Sequence, residues 1–208
     1  MGTFKKFMTM ADLQDKINSK ISTTWRDNGN AWYRAIWIEA AEMMDHIHYK
    51  WWKSGEMDKD QAHLELVDIF HFALSDLLEK KGSVNDVAEY LSTEWDAYDG
   101  TTASALETVE ELAKQTLQIK GFAPTIFFAA MKSVDMSLQE LFELYVCKNV
   151  LNSFRQDKGY KDASITYHKV FDGKEDNEHL MDVARTIPSD DPDFITKLYS
   201  GLEAIYPA

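Results

Sequence analysis

Cysteine, proline and glycine are all scarce in this 208-residue chain, and each scarcity removes a class of protein from consideration. One cysteine, Cys147, cannot close an intramolecular disulfide, so the fold has to be held by its core and not by cross-links. Such usage fits a reducing compartment; the expected location is the cytoplasm, or the host cytoplasm if the chain is phage-encoded. Four prolines and nine glycines leave few interruptions to helical structure. No window reaches the ~18 consecutive apolar residues of a membrane span. At the N-terminus, Lys5 and Lys6 are followed by no sustained apolar run, so a secretory signal is not expected, and Lys6 breaks the myristoylation pattern that would begin at Gly2. Basic residues are also few. With 22 Lys and Arg against 35 Asp and Glu the formal net charge is −13, which argues against nucleic acid or an anionic membrane as partner, because both demand a basic surface.

What is present is hydrophobic residues at helical spacing, 45% of the chain, enough for one sizeable core. The expected fold class is all-α, a helical bundle in one domain covering residues 1–208. The pattern predicts a helix from Thr9 with Met10, Leu13, Ile17 and Ile21 as its buried stripe, and a second from Ala31 to Trp52. A third runs from Lys59 to Lys80 and stops at Gly82, followed by helices over Val84–Trp95 and Ala103–Ile119. Pro124 opens a short helix. Ser137 with Glu140 three residues later predicts a capping box for a long helix reaching Arg155. Residues 157–173 read as loop or hairpin, and two helices, Glu175–Thr186 and Asp193–Ile205, end the chain.

The second and third of these helices carry the chemistry. Glu39 and Glu42 lie three residues apart in WIEAAEMM, and Glu65 and Asp68 repeat that spacing in HLELVDIFHF. Positions i and i+3 share a helical face, so an antiparallel helix pair, joined through the 22 residues between Glu42 and Glu65, gathers four carboxylates. Solvated acidic faces are common, but these residues sit among Ile36, Trp37, Ile38, Met43, Leu64, Val67 and Ile69, a setting that predicts burial. Two unit charges about 5.5 Å apart repel by roughly 3 kcal/mol at an effective dielectric of 20, and four carboxylates make six pairs. A hard cation relieves this, and all-oxygen ligands suit Mg²⁺, with Mn²⁺ as substitute. Asp45 could extend the row. Zinc is the weaker alternative, since the six histidines form no His-Glu-x-x-His and a single cysteine builds no thiolate site. His71, three residues after Asp68, reaches toward the same pocket.

An anionic counterpart to that cation calls for positive charge elsewhere. From Lys148 to Lys174 the chain carries six basic and three acidic residues, a local +3, and Lys148 and Arg155 lie two turns apart on one helix face. Phosphate capture and simple complementation of a helix C-terminus both remain open for this segment.

HLELVDIFHF, AIWIEAAEMMDHIHYKWWK and above all KNVLNSFRQDKGYK followed by GKEDNEHL closely resemble the dimeric, all-α dUTPases, relatives of the MazG-like nucleotide pyrophosphatases. The likeness extends from LQDKIN to GKEDNEHL. It implies a homodimer that hydrolyses dUTP, and dUDP, to dUMP by water attack on the α-phosphate, with Mg²⁺ as cofactor. Residue by residue, it implies that Glu39, Glu42, Glu65 and Asp68 are metal ligands, with Glu42 also orienting the water, and that Lys148 and Arg155 stabilise the leaving group. Gln14 and Asn18 match the amides that read uracil, Trp52 the aromatic on the base, and His71 a deoxyribose neighbour. Asn152, Tyr160 and Lys161 match the base- and phosphate-contacting motif, and Lys174, Asp176 and Asn177 the late GKEDN element. Two departures stand out: Ser19 occupies a position where the family has Asp or Asn, and residues 84–137 show little motif similarity. A pyrophosphatase of the same superfamily acting on dCTP or mixed nucleotides, or a non-catalytic regulatory protein of the same fold, are the alternatives.

Overall fold

The computed structural model describes residues 1–160, 162, 164–189 and 191–207. Among these the elements run α1 (Thr3–Ile21), a 3-10 turn (Trp25–Asp27), α2 (Trp32–His46), α3 (Lys59–Lys81), α4 (Val84–Ala97), α5 (Ala105–Ile119), α6 (Pro124–Ser133), α7 (Leu138–Asp157), β1 (Val170–Phe171), β2 (Lys174–Glu175), α8 (Asp176–Ala184) and α9 (Phe194–Ile205). The class is all-α, as expected. The chain forms two compact units, Met1–Phe142 and Glu143–Ala208.

In the first unit α3 is the hub. Asp58 caps it by accepting the Gln61 N–H, acidic Asp60 and basic Lys80 and Lys81 complement its dipole, and Gly82, at φ +86°, terminates it with its N–H on the Leu78 carbonyl. Helix α2 packs along it, and the pairing falls in descending order: Trp32 Nε1–H donates to Glu79 (2.8 Å) while His46 lies 3.4 Å from Glu65. The two helices are therefore antiparallel, and the Asp58 N–H donates to the His46 carbonyl (2.8 Å) to close the pair. Helix α1 packs on α3 and α4, and α5 on α2 and α6. Beneath them Phe7, Phe70, Phe122, Phe127, Phe128 and Trp95 form an aromatic core, with Phe70 stacked on Phe127 at 5.2 Å and Trp95 edge-on to Phe128 at 5.0 Å. Burying each phenyl ring contributes about 1.5–3 kcal/mol.

Two boundaries differ from the sequence pattern by more than two residues. Helix α1 starts at Thr3 and not Thr9, because Phe7 is fully buried against Phe70 and Phe128, which extends the apolar stripe one turn N-terminally. Helix α2 ends at His46 and not Trp52. His48 takes a left-handed φ of +61°, which breaks the helix, so Trp51 and Trp52 project from the connection to α3.

Helix α7 begins at the end of the first unit, at the expected cap, and continues into the second: the Glu140 N–H donates to the Ser137 hydroxyl (3.1 Å) and the Ser137 N–H donates to the Glu140 carboxylate (2.7 Å). The short β1–β2 hairpin turns at Asp172 and Gly173, both at positive φ, as a two-residue hairpin loop demands. Glu175 and Glu178 cap α8 reciprocally.

Asp76 fastens α3 to the end of α5. Its buried carboxylate accepts Lys80 Nζ (2.7 and 2.8 Å) and the Phe122 N–H (3.1 Å). Replacing it, Asp76→Ala, leaves a buried N–H unsatisfied, and we expect a loss of about 2 kcal/mol, seen as a melting temperature lower by roughly 4–8 °C in thermal denaturation.

Candidate active site

Antiparallel packing of α2 on α3 brings Glu39, Glu42 and Glu65 together, with one carboxylate oxygen from each within 4.8 Å of the others. They grade from exposed Glu42 through half-buried Glu39 to buried Glu65. Asp68 falls outside this close trio but acts on it. Burial first, then the negative charges of Asp68, Glu42 and Glu65, push the Glu39 carboxyl up to about 7. Such a donor set, hard oxygens crowded enough to hold a proton at neutral pH, fits a divalent cation. Asp45 turns away from the row and pairs with Lys50 (2.6 Å).

One to two turns further along α3 lies a second polar cluster. Gln14 and Asn18, one turn apart on α1, face His71 and Ser75, one turn apart on α3, and all four are buried. Gln14 Nε2 donates to Asn18 Oδ1 (2.9 Å) and to Ser75 Oγ (3.1 Å); Asn18 Nδ2 donates to Ser75 Oγ (2.9 Å). The Ser75 hydroxyl donates to the His71 carbonyl (3.0 Å), and His71 Nδ1 lies 2.8 Å from Gln14 Oε1. The family resemblance pointed to Gln14 and Asn18, and spacing as well as resemblance to His71, but neither pointed to Ser75. Its one signal was a hydroxyl four residues after His71 amid Ala73, Leu74, Leu77 and Leu78. Trp52 sits apart on the α2–α3 connection, 60% exposed, edge-on to Tyr49 and Trp51.

In the second unit Lys148 and Asn152 are half-buried on α7. Arg155 forks onto Asp176, with Nε and Nη2 each 2.8 Å from a carboxylate oxygen, and the Tyr167 hydroxyl donates to the same group at 2.6 Å. Burial pushes the Asp176 carboxyl up, but the bonds from Arg155 and Tyr167 outweigh it and hold the group below its usual range. The Arg155–Asp176 fork thus ties the end of α7 to the first turn of α8. Tyr160 lies under the Arg155 guanidinium and edge-on to Tyr167. Lys174 pairs with Asp182, and Asn177 accepts the Glu178 N–H through its side chain (2.8 Å). Lys161 lies outside the described residues.

Two measurements test these contacts. Glu39 holds its proton to about pH 7 in the fold against an ordinary 4.5, so its contribution to stability is present below 4.5 and lost as pH rises through 7. In chelator, the wild type should melt lower at pH 8 than at pH 6 by about 2–4 °C after allowance for solvent screening, and Glu39→Gln should remove that difference. Arg155→Lys cannot reproduce the two-pronged bond, and breaking a buried pair costs about 3–5 kcal/mol, so chemical denaturation of this variant should show a loss approaching that range.

A protein-family model described as dUTPase matches residues 6–160, which includes both acidic pairs, the α1 amides, the α7 basic residues and the weakly similar stretch 84–137, while Lys174, Asp176 and Asn177 lie beyond it. No curated protein matched the chain. No helix among the described residues is long and apolar enough to cross a membrane. With three-quarters of its length under that match and an all-α fold carrying the acidic cluster, the chain belongs to the all-α dUTPase family and is a dUTP diphosphatase.

Proposed function

We propose that the enzyme converts dUTP, and dUDP as well, to dUMP using Mg²⁺, with Mn²⁺ able to replace it, held by Glu39, Glu42, Glu65 and Asp68, and that it works as a homodimer. The observation that carries this is the carboxylate trio on α2 and α3, inside the stretch that the family model matches. A cation bound there supplies neutralisation of phosphate charge and activation of water. Glu42, the exposed member of the trio, orients that water toward the α-phosphorus. Glu65, the buried member, lies 3.4 Å from His46 Nε2 and is shielded from solvent, which limits reorganisation during the reaction.

Gln14 and Asn18 read the uracil edge, His71 abuts the deoxyribose, and exposed Trp52 packs on the base. Assignment of Lys148, Asn152, Tyr160, Lys161, Lys174 and Asn177 to the substrate rests on their motifs. Arg155 and Asp176 share that assignment, and their mutual fork orders the segment that carries the others.

The test is product release from dUTP, dUDP and the four standard deoxynucleoside triphosphates, with and without Mg²⁺. Deoxyuridine nucleotides should be preferred and the chelated enzyme inactive. Glu42→Gln should lower kcat by about 10²–10⁴-fold with unchanged circular dichroism. Equal turnover of all substrates, or full activity in Glu42→Gln, would overturn the assignment.

A further inference from the structure

The hydrogen bonds among Gln14, Asn18, His71 and Ser75 have a direction, and one residue sets it. Side-chain amides are nearly symmetric in shape: rotating Gln14 and Asn18 by half a turn exchanges every donor for an acceptor while keeping the atoms in place. Histidine can follow such a flip by moving its proton from Nδ1 to Nε2. With only those three residues, a reversed network would retain the bond from His71 to Gln14 and the bond from Gln14 to Asn18.

Ser75 removes this degeneracy. Its hydroxyl has one proton, and that proton is committed to the His71 carbonyl at 3.0 Å. Toward α1 its oxygen can therefore only accept, and it faces both Gln14 Nε2 and Asn18 Nδ2. Reversing the amides would set two carbonyl oxygens against that oxygen with a single proton to serve both, and only by giving up the bond to the His71 carbonyl, in a site where Ser75 has no solvent exposure. The chain of consequences continues outward. Asn18 Oδ1 accepts from Gln14, Gln14 Oε1 is left as an acceptor, and His71 must carry its proton on Nδ1.

We infer that Ser75 is the specificity-positioning residue of this enzyme: by accepting from Gln14 and Asn18 while donating to the His71 backbone, it locks the amides in the one orientation that distinguishes uracil from cytosine. The two bases differ at this edge by the same exchange, a carbonyl and an N–H in uracil against an amino group and a bare nitrogen in cytosine. An amide free to turn over reads both; a locked one rejects the base that leaves its groups unpaired. This rests on the proposal that Gln14 and Asn18 meet the base.

The test compares Ser75→Ala with Ser75→Thr. Loss of the hydroxyl should lower the ratio of kcat/KM for dUTP to that for dCTP by at least about tenfold, chiefly through a higher KM for dUTP and faster turnover of dCTP. Mn²⁺ binding followed by paramagnetic resonance should not change. Threonine, which keeps the hydroxyl, should restore most of the ratio. Nitrogen-15 spectra of His71 should show the proton on Nδ1 alone in the wild type and a mixture of tautomers in Ser75→Ala. An unchanged ratio and an unchanged tautomer in Ser75→Ala would overturn the inference. So would an equal fall for both substrates. Should the alanine variant fail to fold, Ser75→Cys, a poor acceptor, takes its place in the same measurements. If wild type itself fails to prefer dUTP, the assignment of the amides to uracil is wrong, whereas the tautomer still decides whether Ser75 sets the direction of the network.

Discussion

Like-charge repulsion between α2 and α3 is the constraint around which the first unit is built. Two helices that place Glu39, Glu42 and Glu65 within 4.8 Å of one another would separate if nothing else held them. Several features oppose that separation: the apolar burial of Ile36, Ala40 and Met43 on α2 and of Leu66, Ile69 and Phe70 on α3, the Trp32–Glu79 hydrogen bond at one end and the His46–Asp58 backbone bond at the other. The aromatic core under α3 makes the helix a rigid base. The strain is relieved locally by a proton on Glu39, a group half out of water where a cation can replace that proton at neutral pH. A cluster disfavoured as structure is thus one that a bound cation would relax.

A single stripe of α3 connects this acidic end with the amide network. Glu65, Asp68, His71 and Ser75 are spaced by three, three and four residues, which keeps them within about 120° of arc over roughly 15 Å of helix. Three of the four meet a partner on the opposite helix, Glu65 on α2 and His71 and Ser75 on α1. Because α3 is continuous, capped at both ends and buried through its middle, the separation of the two polar clusters is set by helical rise and not by loop conformation.

Much of this was legible in the sequence because the signals were periodic. Helix α3 was recovered to within one residue at its C-terminus, since Asp58 and Gly82 cap it and apolar residues fill its interior; the doubled acidic spacing gave the α2–α3 pair and its carboxylates. What failed were features that depend on contacts distant in sequence. Nothing local shows that Phe7 belongs to a core with Phe70 and Phe128, so α1 looked six residues too short. The helical pattern of HIHYKWWK has no proline or glycine before Gly55, so the break at His48, enforced by closure onto Asp58, looked like continued helix and misplaced Trp52 on it. Arg155 illustrates a different limit. Its position on α7 was visible, but its fork to Asp176, 21 residues on, depends on the hairpin that brings α8 back.

Ser75 shows why the most informative residue was the least legible. A serine inside a helix is unremarkable by type, since its hydroxyl commonly returns to the carbonyl four residues back, as here to His71. That ordinary bond is normally read as a minor concession to burial. In this position it has a second effect, because using the proton intrahelically leaves the oxygen an acceptor on its other side. The two amides of α1, 61 and 57 residues away, meet that oxygen and inherit its polarity. A backbone bond within α3 thereby fixes the direction of a side-chain network between helices, and chemical information passes from a local, sequence-neighbouring contact to one that no spacing rule contains.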